Sequence, residues 1–342
     1  MSQPLRAALG AYDLLALDLD GTLFGPDGRV SCANVEAVHA ARAAGIQVVL
    51  CTGRAMVESG TAVAAIDAHL PARGREVAPM VCAGGAMVCD VAGWVQEPRK
   101  ARPAPGASGA KIAKTAPDCE GAGCGGRTLH RWAMDAGLVS RLCDHFAQAG
   151  RAPLILKDRD AADFDYLVVN SGPIEYPTQW WFEVMDVRVK FIDHISHDPH
   201  PEHTVRVGFA AGAGAMRPLA QSVHARFGHE TFTQHFAAVA GLANAGPHGV
   251  KDESVHLLEV FSPQVNKWTA VHRLALSQGV PRERVAAVGD EINDLQLIEG
   301  AGLGIAMDNA VPAVKAAATR VTRSNAHDGV AYAIERILAG EW

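Results

Sequence analysis

Apolar residues in this chain gather in short runs that alternate with stretches of helical spacing. Leu14 to Leu17 is a run of four apolar residues and reads as a buried strand. Asn34 to Ala44 carries Val35, Val38 and Ala41 at helical intervals and stops at Gly45. Ile46 to Leu50 is β-branched and apolar, a second strand. Met56 to Leu70 then reads as a helix ended by Pro71, and Met80 to Ala83 as a third strand before Gly84 and Gly85. Strands and helices alternating at these lengths imply right-handed βαβ units and a parallel sheet covered on both faces.

The alternation then breaks. From Glu97 to Arg127 the chain is rich in Pro, Gly, Ala and Lys and has no sustained hydrophobic period, so 97–127 reads as a mobile surface loop. Beyond it the patterns predict a helix from Arg131 to Ala149 and strands at Pro153–Leu156, Asp165–Asn170, Phe182–Ile195 and Thr204–Phe209. A helix at Met216–Phe227 and strands at Thr231–Val239 and Val255–Phe261 follow. Here strands neighbour strands, the mark of an α+β domain. From Asn266 the βα alternation resumes, with helices at Lys267–Ser277, Asp294–Glu299, Pro312–Ala318 and Val330–Ala339 around strands at Arg284–Val288 and Gly302–Met307. The predicted architecture is an α/β domain, 1–88 and 260–342, interrupted by an inserted α+β domain at 89–259.

Composition narrows the function classes. The 342 residues suit two domains, and 49% hydrophobic with 20% charged residues is the balance of an ordinary globular protein. A net charge of −6 argues against nucleic acid as the main partner, since phosphate backbones call for basic stripes. No apolar run is long enough to span a bilayer, and Met1 to Gly10 lacks the layout of a secretory signal. Seven cysteines, odd in number and without a C-x-x-C, fit a reducing cytoplasm.

The chemistry gathers at predicted strand ends. Asp18-Leu19-Asp20-Gly21-Thr22 directly follows the first strand, and two carboxylates two residues apart begin on the same side of the backbone. Such a pair is costly without a cation or a shared proton. Gly21 permits a sharp turn, and the Thr22 hydroxyl can hold it. Thr52-Gly53-Arg54 ends the second strand, Lys267 opens the helix after the insertion, and Gly289-Asp290-Glu291-Ile292-Asn293-Asp294 ends a later strand. Asn309 and Ala310 follow the last one. Ligands bind at strand C-termini in open parallel sheets, so these segments can converge. Asp18, Asp20, Asp290 and Asp294 would make an oxygen site for a hard cation such as Mg²⁺. Thr52, the amides near Gly53, and Lys267 supply donors and charge for a phosphate, beside which a spare carboxylate can attack phosphorus.

In these segments the sequence resembles the haloacid dehalogenase-like (HAD) hydrolase superfamily, and within it the Cof-type phosphatases with a C2 cap. The tail segments Ala306-Met307-Asp308-Asn309-Ala310 and Ser324 to Val330 match as well. The resemblance implies a Rossmann-like parallel-sheet core carrying an inserted α+β C2-type cap. It implies a Mg²⁺-dependent phosphomonoesterase acting on a small phosphorylated metabolite, with a sugar phosphate expected and the oligomeric state open. Asp18 would be the nucleophile that forms an aspartyl phosphate, and Asp20 the acid and then the base. The metal would sit on Asp18, the Asp20 carbonyl and Asp290, with Asp294 behind them; Thr52, Gly53, Lys267 and Asn293 would hold the phosphate. Two other readings of the motif set are a sugar phosphomutase and a non-catalytic phosphometabolite-binding protein. One departure is Gly84-Gly85, where many relatives carry Asn-Gly.

Several features have plainer readings. His194, His197, His200 and His203 recur every third residue, but Pro199 and Pro201 prevent one regular helix from presenting all four. A polar cap loop is the expectation there, with a metal site as the alternative. Cys119 and Cys124 read as ordinary thiols, and Trp180 and Trp181 as cap packing. Arg54 could touch the substrate or brace the cap; Asp252, Glu253 and Glu259 read as solvated or hinge residues.

Overall fold

The computed structural model describes residues 11–72, 74–94, 126–185, 187–237 and 255–342. The chain begins with β1 (Leu14–Leu17), α1 (Cys32–Ala43), β2 (Gln47–Leu50), α2 (Gly60–Ala65), β3 (Pro79–Cys82), β4 (Met87–Asp90) and β5 (Arg127–Arg131). It continues through α3 (Ala136–Gln148), β6 (Leu154–Lys157), α4 (Arg159–Ala162), β7 (Tyr166–Val169), α5 (Tyr176–Val184) and β8 (Val189–Ile192). Next come β9 (Thr204–Gly212), α6 (Ala213–Phe227), β10 (Phe232–Ala237) and β11 (Val255–Phe261). The chain closes with α7 (Lys267–Ser277), β12 (Val285–Gly289), α8 (Leu295–Gly300), β13 (Leu303–Ala306), α9 (Pro312–Ala317), β14 (Arg320–Val321) and α10 (Gly329–Leu338).

Two compact units result. The first takes Met1–Trp94, Gly126–His130 and Val265–Trp342; the second takes Val95–Gly125 and Arg131–Gln264. In the first, a five-stranded sheet runs β14-β13-β12-β1-β2 with every pair parallel. All four residues of β1 and all five of β12 are buried, as strands covered on both faces must be. Strand β1 sits between β2 and β12, so the segments after these three strands emerge side by side. Helices α1 and α10 pack together, locked where buried Asn34 accepts from the Ala331 amide at 2.9 Å.

Two elements of the first unit differ from the pattern expected of them. β3 is not a strand of the parallel sheet: it pairs antiparallel with β4 in a separate sheet of order β3-β4-β5, touching the end of β2 through the bridge Cys51–Val81. The predicted boundary between residues 88 and 89 thus falls within β4, which pairing with β3 holds in the first unit. The Met56–Leu70 helix is interrupted; a tight turn at Met56–Ser59 precedes α2, and Asp67 adopts φ 51. The guanidinium of Arg42 takes the carbonyls of Ile66 and Asp67 at 3.1 and 2.6 Å, so both are satisfied outside a helix. The predicted loop at 97–127 lies outside the described residues except for Gly126 and Arg127, the latter starting β5.

The second unit is a six-stranded sheet ordered β10-β11-β9-β6-β7-β8, antiparallel except between β7 and β8. Its core joins Leu142 and Phe146 of α3 and Val223 and Phe227 of α6 to Ile155, Leu167, Val207, Phe209, Leu258 and Val260 of the sheet. These strand residues alternate along their strands and share one face. The strand predicted at Phe182–Ile195 is shorter, confined to β8, because Phe182 belongs to α5. Pro177 in the first turn starts that helix despite the strand preference of Trp180, Trp181 and Phe182. Phe182 packs against Tyr166 with ring centroids 5.6 Å apart.

The Gly84-Gly85 departure has a backbone reason. Gly84 has φ 64, a region Asn and Gly both tolerate. Gly85 has φ +102, and a Cβ there would lie 2.2 Å from the carbonyl oxygen of Asn266, next to Lys267. Gly28, at φ +73, has open space around it. Gly85→Ala is expected to cost about 2 kcal/mol or more and Gly28→Ala about 1 kcal/mol, read from urea midpoints followed by near-ultraviolet circular dichroism. Equal costs at the two positions would contradict the close approach.

Candidate active site

The end of β1 makes the site. After Leu17 the chain enters a turn at Leu19–Leu23, closed by the Phe24 amide on the Leu19 carbonyl at 2.8 Å. Gly21 sits in it at φ +79, and a Cβ at that position would lie 2.1 Å from Oδ2 of Asp290. Glycine is therefore required twice, for its backbone angle and for the approach of a carboxylate. Asp18 and Asp20 do not lie along one strand: Asp18 turns into the buried interior, whereas the Asp20 side chain stays 38% exposed.

Lys267 organises the interior. Asn266 caps α7 by accepting the Thr269 amide at 2.9 Å, which fixes Lys267 as the first helical residue. Its ammonium donates to Asp18 Oδ1 and Asp294 Oδ1, both at 2.6 Å, and reaches Asn293 Oδ1 at 3.5 Å. Asp294 is fully buried, and its second oxygen accepts the amides of Asp290 and Glu291 at 3.1 and 3.2 Å. Asp290 accepts from the Thr22 hydroxyl at 2.8 Å and from Asn309 at 3.3 Å. Asn309 also donates to the Gly21 carbonyl at 2.8 Å and accepts the Asn325 amide at 2.9 Å, tying the turn after β1 to the tail segments.

Charge within this cluster does not balance. Asp18, Asp290 and Asp294 offer oxygens that all lie within 4.8 Å of one another. With all three ionised and Lys267 protonated, 3 − 1 = 2 negative charges remain. The imbalance appears in the acidities. Burial, then Asp294, pushes the Asp18 carboxyl up to about 7. Burial, then Asp18 and Asp294, pushes Asp290 up to about 9. Burial by itself would lower Lys267, but Asp18 and Asp294 outweigh it and raise the ammonium above its ordinary value. An all-oxygen donor set short of two positive charges fits Mg²⁺.

The remaining residues named from sequence are placed as follows. Thr52 is buried at the end of β2, where Cys51 donates to the Leu17 carbonyl at 2.8 Å; the Thr52 hydroxyl oxygen accepts the Arg54 amide at 3.1 Å. Gly53 lies between them, and Asn293 stands beside Lys267. Arg54, expected to touch the substrate or brace the cap, forks onto both oxygens of Asp20 at 2.5 and 2.8 Å and lies 5.3 Å from the Phe24 ring centroid. The Asp20 carboxylate is thus outside the three-carboxylate cluster. The Thr22 hydroxyl does more than hold its own turn, since it bonds Asp290 across 268 residues. The roles of Thr22 and Asn309 toward Asp290 went unassigned in the sequence; the one signal was that Asn309 follows the last strand at the same sheet edge.

Metal ligation requires ionised carboxylates. Asp18 and Asp290 hold protons more tightly in the folded than in the unfolded chain, so metal-free stability falls as pH rises from about 4 to about 9. Lys267, raised from 10.5, contributes a loss of stability only above this window. The Mg²⁺-induced rise in melting temperature should therefore be larger near about pH 8.5 than near about pH 5.5. Asp290→Asn should remove most of it. An increment independent of pH would contradict the charge imbalance.

Comparison with known proteins gives the family. The pattern of the haloacid dehalogenase-like hydrolase family matches residues 15–101 and 224–334. A 5-amino-6-(5-phospho-D-ribitylamino)uracil phosphatase of Bacillus subtilis is 27% identical over 330 residues, covering 96% of this chain and 99% of its own. A second B. subtilis phosphatase of the same description is 46% identical over 76 residues, 22% of this chain and 28% of its own. The crystal structure of a haloacid dehalogenase-like hydrolase from Bacteroides thetaiotaomicron superposes with a TM-score of 0.65 at 21% identity, covering 95% of this chain and 99% of that one. At that identity the likeness is one of fold. The chain belongs to the haloacid dehalogenase-like hydrolase family, in its Cof-type phosphatase branch.

Proposed function

We propose that this phosphatase is a Mg²⁺-dependent phosphomonoesterase that works through an aspartyl phosphate on Asp18 and acts on a small sugar-like phosphate. The observation that carries the reading is the buried set of Asp18, Asp290 and Asp294 around Lys267, two charges short of neutral. Mg²⁺ held by Asp18, the Asp20 carbonyl, Asp290 and Asp294 would add positive charge at the phosphate oxygens. Lys267 fixes one oxygen of Asp18, so the other can approach phosphorus with its orientation set in advance.

In the first step an Asp18 oxygen attacks phosphorus, the ester P–O bond breaks, and Asp20 gives its proton to the departing oxygen. In the second, Asp20 takes a proton from water as that water attacks phosphorus, releasing phosphate and restoring the Asp18 carboxylate. Arg54 occupies both Asp20 oxygens, so it must release one before that carboxyl passes a proton. Lys267, Thr52, Asn293 and the amides near Gly53 bind the phosphate oxygens, and transfer of this kind depends mainly on such positioning and charge. The substrate class is supported by the full-length B. subtilis relative, whose name places the phosphate on a D-ribityl chain.

Phosphate release from a panel of sugar, alditol and nucleotide monoesters tests the reading. The sugar and alditol phosphates should be turned over with Mg²⁺ and not with a chelator. Asp18→Asn should lower kcat by about 10³-fold or more, and Asp20→Asn by about 10²–10⁴-fold. Full activity of Asp18→Asn would remove the nucleophile assignment, and an isomerised sugar phosphate in place of free phosphate would mark a mutase.

A further inference from the structure

We propose that the second unit carries its own divalent metal site, selective for Zn²⁺ over Mg²⁺, formed by His200, Glu202 and His203. The three residues each offer one donor atom, and these atoms lie within 4.8 Å of one another. His203 Nε2 stands 3.2 Å from Glu202 Oε1. Two ligands at about 2.0–2.1 Å from a tetrahedral zinc are about 3.3–3.4 Å apart, so this pair is already spaced as one edge of such a site. The His200 and His203 rings stack at 5.8 Å between centroids with 25° between planes, bringing both imidazoles to one place.

The backbone holds the three side chains in position without a metal. Pro201–His203 forms one tight turn, started by Pro201 and ended where β9 begins at Thr204. Each end is tied to the sheet: the His200 carbonyl accepts the buried Lys157 ammonium at 2.9 Å, and the His203 carbonyl accepts the Asp158 amide at 3.0 Å. The His200 amide donates to Asp198 Oδ1 at 3.0 Å. Lys157 would oppose a bound cation, but its charge is met by Asp198, with which it forms a buried ion pair. A further mark is His203 Nδ1, which is enclosed and makes no hydrogen bond with the described residues. The other ring nitrogen, Nε2, is the one that faces the Glu202 carboxylate.

The donor set separates this site from the one around Lys267. Two imidazoles and one carboxylate suit zinc and its late first-row neighbours, whereas Mg²⁺ prefers oxygen alone. His194 and His197 take no part: His194 accepts the Ser196 amide at 3.2 Å, and neither residue shares the donor cluster.

The test is calorimetric titration of Zn²⁺ into chelator-stripped, full-length protein kept in saturating Mg²⁺, with Co²⁺ absorption as the reporter of coordination. Wild-type protein should take up one Zn²⁺ that Mg²⁺ does not displace, and Asp290→Asn should leave this uptake unchanged. Glu202→Gln should weaken it about tenfold or more, and His200→Asn with His203→Asn should abolish it along with the Co²⁺ bands. Circular dichroism melts check that each variant is folded; Glu202 is exposed, so its substitution decides the matter if the double variant does not fold. Absence of saturable uptake, or uptake unchanged in Glu202→Gln, overturns the proposal.

Discussion

The ammonium of Lys267, held between Asp18 and Asp294, is the interaction on which the catalytic unit depends. Three carboxylates in a dry pocket repel one another strongly, and one lysine answers part of that repulsion. The remainder is a standing demand for a divalent cation. The arrangement is unfavourable as a piece of folded protein, because replacing such groups by apolar ones often stabilises a protein. Its retention has a chemical reason on the proposed function: the charge deficit that costs the fold stability suits the cluster to a divalent cation beside a phosphate.

The scaffold around this lysine is built for close approach. Gly21 admits Asp290 to the turn after β1, and Gly85 admits the backbone at Asn266 and Lys267. Thr22 and Asn309 then hold Asp290 from two sides. Gly21, Thr22 and Asn309 thus set the position of Asp290, and Gly85 that of the backbone at Lys267. In the second unit a plain hydrophobic core between α3, α6 and one sheet face allows polar side chains to collect in the loop before β9.

Much of this was legible in the sequence, for a definite reason. Asp18, Thr52 and Asp290 each follow an apolar run that can only be a buried strand, and parallel strands deliver such residues to one edge. The less legible parts are those where partners are distant or local signals conflict. Arg54 pairs with Asp20 because of how two loops meet, and no periodicity in either loop records it. Thr22 finds Asp290 across 268 residues. The aromatic run in α5 favours a strand by composition, and Pro177 decides for a helix. β3 looked like a strand of the main sheet because pairing direction is not written in an apolar run of four residues.

The position of β1 between β2 and β12 has a consequence for how the molecule is made. A ribosome delivers β1 and β2 early, but Lys267, β12 and Asp290 emerge only after the whole second unit has been synthesised. Until then the central strand has one open edge, and Asp18 faces no lysine. Sheets closed by distant segments form slowly, and exposed edges invite wrong partners in the interval. The second unit, apart from β5 at its border, is continuous in sequence and can complete its own sheet first. Nascent chains of this protein can therefore complete the second unit while the central sheet is still open, and Lys267, Asp290 and Asp294 arrive only in the last quarter of the sequence.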